Sequence, residues 1–140
     1  MKKLLLSLMV LVLSIVLLAG CSGTVAPEPP SESTEFIGWW FNVDVDTDSI
    51  TQIHIEDGET LAIHVWGKCH PTDCYWGYQI VPSSDALDGI IEIVWVFSFA
   101  EETQELMLLD DNNLKVTTFT HFTDGSGRPD YETIDYFKKK

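Results

Sequence analysis

Four residues in the 140-residue chain combine type and spacing suited to metal or redox chemistry: Cys69, His70, Asp73 and Cys74. They lie in the block Gly67-Lys68-Cys69-His70-Pro71-Thr72-Asp73-Cys74-Tyr75-Trp76-Gly77. Thiolate, imidazole and carboxylate are all zinc ligands. Adjacent ligands such as Cys69 and His70 close poorly on one ion, however, and no C-x2-C pair supports them. The competing reading is a hairpin tip. Cys69 and Cys74 enclose four residues, Pro71 pre-sets φ for a turn, and Thr72 and Asp73 can bond nearby amides. The cysteines then face each other across the strand ends at a separation that suits a disulfide. A ring this small contributes on the order of 2 kcal/mol, and its main effect is to fix hairpin register. A disulfide is expected, with the four-ligand metal site as the alternative.

Other constellations are weaker. His54 and His64 lie on neighbouring predicted strands, where a short turn makes them cross-strand neighbours, and Glu56 is close enough to join them on a metal. A polar outer face is the favoured reading of them. Asp44, Asp46 and Asp48 alternate at a strand end and repel one another unless a cation intervenes. Asp124-Gly125-Ser126-Gly127 lacks the acidic spacing of a calcium loop and reads as a turn. Arg128, the only arginine, can pair with Asp124 or Asp130 or meet an anion. There is no G-x-S-x-G, no H-E-x-x-H and no phosphate-cradling glycine loop. No enzyme activity and no cofactor are expected. The aromatics are the stronger hint: Trp39, Trp40, Trp66, Trp76, Trp95, Tyr75 and Tyr78 are many for this length. They either fill a small barrel or form a contact patch, since Trp and Tyr are enriched at interfaces. Candidate ligand or partner contacts are Trp40, Asn42, Trp66, His70, Tyr75, Trp76 and Arg128.

The elements that must position these residues are strands. No stretch sustains a helical period, and short alternating runs recur between turn signals. Strands are expected near 36–44, 49–57, 60–67, 74–82, 89–99, 103–110, 113–123 and 131–138. The turns fall at Asp46-Thr47-Asp48, Asp57-Gly58-Glu59, the cysteine block, Ser83 to Asp88, Glu101-Glu102, Asp111-Asn112 and Asp124 to Pro129. In the third strand Leu61, Ile63 and Val65 share a face. In the fifth, Ile91, Ile93, Trp95, Phe97 and Phe99 form one bulky face. The opposite face, Ile90, Glu92, Val94, Val96 and Ser98, is half apolar, so this strand is expected to be covered on both sides. Sequential hairpins with short turns favour an all-β, single antiparallel up-and-down β-barrel of about eight strands, closed so that no edge is exposed.

Strand one adds a resemblance. Gly38-Trp39-Trp40-Phe41-Asn42 resembles the G-x-W opening of lipocalins and the G-x-W-x-N opening of avidin-like barrels. The resemblance implies that Trp40 packs at the barrel floor and that Asn42 faces the interior. The rest of the avidin pattern has no counterpart here, so biotin binding is not expected. A second resemblance spans most of the domain. Gly38-x-Trp40-x-Asn42, the Trp66–Gly77 block and Ser126-Gly127-Arg128-Pro129-x-Tyr131 are together similar to a family of bacterial secreted or envelope proteins with no assigned activity, and it implies shared structure alone.

The N-terminal region reads as an address. Lys2 and Lys3 precede an apolar run from Leu4 to Leu18, the pattern of a secretory signal over residues 1–20. It ends in Leu18-Ala19-Gly20-Cys21, which resembles the bacterial lipobox. That resemblance implies cleavage before Cys21 and lipidation of its thiol, with diacylglyceryl and an amide-linked acyl chain such as palmitate. Two or more chains anchor stably where one does not. Cys21 thereby accounts for the odd cysteine of the three, leaving Cys69 and Cys74 to pair in an oxidising compartment. Residues 21–35, rich in Pro, Ser, Thr and Glu, read as a disordered tether, and 36–140 as the barrel domain.

The chain carries a net charge of −14, and loss of Lys2 and Lys3 with the signal leaves six basic and 22 acidic residues, near −16. That argues against nucleic acid and flat contact with anionic lipid, and permits a basic partner. The expected protein is a membrane-anchored envelope lipoprotein. It would sit at the outer membrane of a Gram-negative cell or on the outer face of a Gram-positive plasma membrane. It would act as a non-enzymatic barrel that binds a small apolar ligand in its mouth, or a protein or glycan by its loops. The alternative is an inhibitor of a basic lytic enzyme, similar in charge and shape to lysozyme inhibitors, or a structural envelope protein.

Overall fold

The computed structural model describes residues 32–140; the expected signal peptide, the expected lipidation site Cys21 and most of the expected tether lie outside the described residues. A short helix, α1 (Glu32–Glu35), leads into β1 (Gly38–Asn42), β2 (Ile50–Glu56), β3 (Thr60–Gly67) and β4 (Cys74–Pro82). A 3-10 turn (Ser83–Ala86) then leads to β5 (Ile90–Val96), β6 (Ala100–Asp110), β7 (Asn113–Phe122) and β8 (Tyr131–Lys139). The eight described strands form one sheet in the order β4-β3-β2-β1-β8-β7-β6-β5, with every pairing antiparallel. The first and last strands pair, Trp40 opposite Lys139 and Asn42 opposite Phe137, which curls the meander into a nearly closed barrel.

Alternation sets the inside. Ile53 and Ile55 of β2, Leu61, Ile63 and Val65 of β3, Ile91, Ile93 and Trp95 of β5, Leu106 of β6, Leu114 and Val116 of β7, and Phe137 of β8 are all buried. Neighbours of opposite parity point outward because successive residues of a strand face opposite sides. His54 stands opposite His64 across β2 and β3, as the short Asp57-Gly58-Glu59 connection requires, and both lie on the outer face.

The floor of the barrel is closed from below. Trp40 is fully buried, and its indole Nε1 donates to the Phe36 carbonyl oxygen at 2.7 Å. Phe36, expected at the start of strand one, instead sits in the turn after α1 with its ring fully buried. Lys139 reaches in from β8, donates from Nζ to the Glu35 carbonyl oxygen at 2.6 Å and lies 5.2 Å from the Trp40 ring centroid.

Two expectations about the fifth strand are corrected. β5 ends at Val96 and β6 begins at Ala100, so the turn is Phe97-Ser98-Phe99 and not Glu101-Glu102. The ladder closes there because the Phe97 amide donates to the Ala100 carbonyl oxygen at 2.8 Å. The second face of β5 is not covered: Ile90, Val94 and Val96 are exposed, and the strand buries one side only. The sheet also stops short of full closure. No ladder joins β4 to β5. The seam is packed by side chains, with Trp76 edge-on to Trp95 and Phe97 at centroid distances of 6.1 and 5.6 Å.

Candidate functional site: a polar cavity in the barrel mouth

The core residues fill the lower half of the barrel. Above them the same inward-facing parity continues with polar residues. On β6 Leu106 is followed toward the mouth by Gln104 and Glu102, and on β7 Val116 by Thr118 and Thr120. On β8 Phe137 is followed by Asp135, Thr133 and Tyr131. Register brings these together across the ladders: Gln104 opposite Thr118, Glu102 opposite Thr120, Thr118 opposite Thr133, Thr120 opposite Tyr131. Short polar side chains leave space where Leu or Ile would have filled it. The result is a cavity of about 580 Å³ lined by Thr47, Asp48 and Ser49 from the β1–β2 loop, Trp76 from β4, Glu102 from β6 and residues of β7 and β8.

The loop is folded over the mouth by its own side chains. Asn42 Oδ1 accepts from the Asp44 amide, Asp44 Oδ1 from the Asp46 amide, and Thr47 Oγ1 from the Ser49 amide. Asn42, Asp44 and Thr47 thus serve as local turn formers, a common use of these residue types beside a strand end. Trp76 enters from the other side through a register shift between Val65 and Trp66 in the β3–β4 ladder. Its indole lies directly against Gly67, where an added Cβ would fall 2.5 Å from Trp76 Nε1.

The electrostatics of the cavity are one-sided. Among the described residues three carboxylates line it, Asp48, Glu102 and Asp135, and no basic residue does. Asp135 is buried. Its Oδ1 accepts from Asn42 Nδ2 at 2.8 Å and from Thr47 Oγ1 at 3.4 Å, while Oδ2 has no hydrogen-bond partner among the described residues. Thr118 Oγ1 and Gln104 Nε2 are buried and unpartnered as well. Gln104 spends its other amide atom on the Trp95 indole, whose Nε1 donates to Oε1 at 3.0 Å. Burial pushes the Glu102 carboxyl above the usual carboxylate range, and its hydrogen bond with the Thr120 hydroxyl works in the opposite direction. Unpartnered buried polar atoms are uncommon in folded proteins, and two of these, Thr118 Oγ1 and Asp135 Oδ2, belong to the cavity lining, which marks it as a place where a ligand or ordered water would bond.

The structure separates the residues singled out from the sequence. Cys69 and Cys74 form a disulfide with a Cα separation of 5.5 Å, so the alternative metal set of Cys69, His70, Asp73 and Cys74 is corrected: both its sulfurs are taken. His70 is exposed at that tip. Trp40 belongs to the floor, well below the cavity, whereas Asn42 braces Asp135 at its edge. Trp76 is the one candidate aromatic in the cavity wall.

Trp66 and Tyr75 lie outside, in a ladder of stacked rings with Trp39, His54, His64 and Tyr78. The members of this outer ladder partner one another: His64 Nδ1 is 2.6 Å from the Tyr75 hydroxyl, and His54 Nδ1 is 3.5 Å from Glu56. Among the described residues no group of three or more His, Cys, Asp or Glu is close enough to hold a metal ion. Arg128 pairs with Asp124 at 2.6 Å and lies 3.8 Å from the Phe122 ring centroid.

Glu102, Gln104, Thr118, Thr120 and Asp135 were not singled out from the sequence. The available signal was parity: each shares a strand face with Leu or Phe, and a polar residue at a core position needs a partner or a purpose. Comparison with protein-family models, with curated proteins and with solved structures finds no match.

Proposed function

We propose that the protein is a binding barrel that admits a small polar ligand to its mouth, held at the cell envelope by a lipid on Cys21. The observation that supports it is the half-filled interior. The lower half is solid core, and the upper half is a cavity of about 580 Å³, within the range of small-molecule sites. A purely apolar ligand would leave Thr118 Oγ1 and Asp135 Oδ2 unbonded, so the lining favours one that carries hydrogen-bonding groups. The anchor and envelope address rest on the Leu18–Cys21 resemblance. Inhibition of a basic lytic enzyme has only the acidic net charge in its favour, since the acidic cavity is sized for a small molecule.

The test is a screen of small polar compounds by ligand-observed NMR against the full chain and against Thr120→Trp, which fills the cavity from β7. Compounds that bind the first and are lost from the second support the reading. A screen in which every binder is retained by Thr120→Trp overturns it.

A further inference from the structure

We propose that the mouth cavity selects a small organic cation, a protonated or quaternary amine seated between Trp76 and the carboxylates of Glu102 and Asp135. This rests on the reading of the cavity as a ligand site and names the class of ligand it takes.

Charge is the first argument. Asp48, Glu102 and Asp135 share one cavity with no Lys, Arg or His in its lining. An anion would meet three like charges and no donor of opposite sign. A neutral ligand would leave the repulsion as it stands, whereas a cation relieves it. The second argument is Asp135. It is about nine-tenths buried, lines the cavity, and keeps Oδ2 without a partner among the described residues while Oδ1 is held by Asn42 and Thr47. A carboxylate oxygen accepts and never donates when ionised, so this atom waits for a donor or a positive charge. Burial raises the Glu102 carboxyl, as expected of an acid kept from water without a counter-charge.

The third argument is size and shape. The carboxylates come from the β1–β2 loop, β6 and β8, and no three of the described acidic or imidazole groups converge closely enough for a metal ion. A cation with bulk spans them where a bare ion does not. Trp76 contributes an indole to the lining, and Trp is the aromatic side chain that attracts an ammonium group most strongly.

The probes are choline, its uncharged carbon isostere 3,3-dimethylbutan-1-ol, and methyl β-glucoside as a neutral polyol. Each is titrated into the full chain by calorimetry at fixed ionic strength. Choline should bind at least about tenfold more tightly than its isostere, the ratio expected of a desolvated charge–aromatic and charge–carboxylate contact. Glu102→Gln, at a partly exposed position, should weaken choline several-fold and leave the isostere unchanged. Equal binding of choline and the isostere, or choline affinity indifferent to Glu102→Gln, overturns the cation class. If methyl β-glucoside binds best and Thr120→Trp abolishes it, the cavity remains a ligand site and only the cation falls. If no probe binds in a manner sensitive to Thr120→Trp, the cation class is overturned, and the screen above decides the cavity reading by itself.

Discussion

Asn42 makes a set of bonds that no close analogue reproduces. Its Nδ2 donates to the Ile50 carbonyl oxygen at 2.7 Å and to Asp135 Oδ1 at 2.8 Å, while its Oδ1 accepts from the Asp44 amide at 2.9 Å. Aspartate has no donor for the first two, and glutamine is one methylene too long. This residue ties β1, the mouth loop, β2 and β8 together around the acidic cavity. The histidines show single-residue chemistry of a different kind. His121 Nδ1 lies 2.9 Å from Asp130 Oδ2, and that hydrogen bond, with the charge of Asp130 behind it, raises the His121 pKa above 6.5. The same contact, His121 first, lowers Asp130 below 3.8. His54 goes the other way, lowered chiefly by burial, with its ring 4.1 Å from that of Trp39. The linkage signs follow. The raised His121 favours the folded state fully below pH 6.5, and the benefit is lost as pH rises through its folded pKa. The lowered Asp130 favours the folded state above pH 3.8, and the benefit is lost as pH falls through its folded pKa. The pair therefore supports the fold best in the acidic range between them. In a proton NMR titration of the imidazole signals, His121 should titrate above 6.5 and His54 below it. Asp130→Asn should return His121 toward 6.5 and leave His54 in place. A His121 midpoint that ignores Asp130→Asn would show that the contact is not formed in solution.

At the scale of the element, the β3–β4 hairpin decides whether the mouth has an aromatic wall. Its disulfide fixes the tip, and the register shift at Val65–Trp66 turns Trp76 inward over Gly67. Glycine is required there by contact: a Cβ would sit 2.5 to 2.7 Å from three atoms of a rigid indole. Gly67→Ala should therefore displace Trp76 and cost about 1–3 kcal/mol, the usual range for overpacking. Urea denaturation reads the loss, and a red shift of tryptophan emission reads the displacement. An unchanged midpoint and spectrum would mean that the indole does not rest on Gly67. Much of this layer was legible beforehand. The β3 and β4 bounds follow from alternation between Gly58 and Pro82, and the opposed His54 and His64 from the length of one turn. What misled was composition. Phe97-Ser98-Phe99 is too apolar to look like a turn, while Glu101-Glu102 looks like one and is strand. The outer face of β5 carries Ile90, Val94 and Val96, which read as core and are exposed. Alternation states which residues share a face but not how far up the barrel the side chains remain large enough to fill it. The cavity was therefore missed even though every residue of its wall was in view.

At the scale of the whole molecule, the chain builds a barrel that closes through its ends and stays open in its middle. β1 and β8 pair, although almost the whole domain separates them in sequence, while β4 and β5, joined by one short 3-10 turn, do not. The turn contributes Ala86 to the core, and Trp76, Trp95 and Phe97 fill the gap beside it. Packing without a hydrogen-bond ladder holds less firmly against local opening, because each unpaired backbone group there already finds water when the side chains part. Opening at the seam would present two free strand edges, one of them β5 with its apolar outer face. An edge of that kind is a template for pairing with another chain. Val96 is the most exposed apolar position on it, at 78% of full exposure, and its neighbour Glu101 lies across the ladder on β6. A lysine at 96 would therefore place charge on the free edge, meet an opposite charge across the strand pair and disturb no buried contact. Val96→Lys should change the melting temperature little, since surface substitutions of this kind stay within about 0.5 kcal/mol. It should also suppress the concentration-dependent association of the heated protein, measured by light scattering below the melting transition. Amides of β4 and β5 should exchange with deuterium ahead of those in the β1–β8 pair in both proteins. If the β1–β8 amides exchange first, or if Val96→Lys aggregates as readily as the parent, the weak line of the barrel lies elsewhere and the seam is as firm as a ladder.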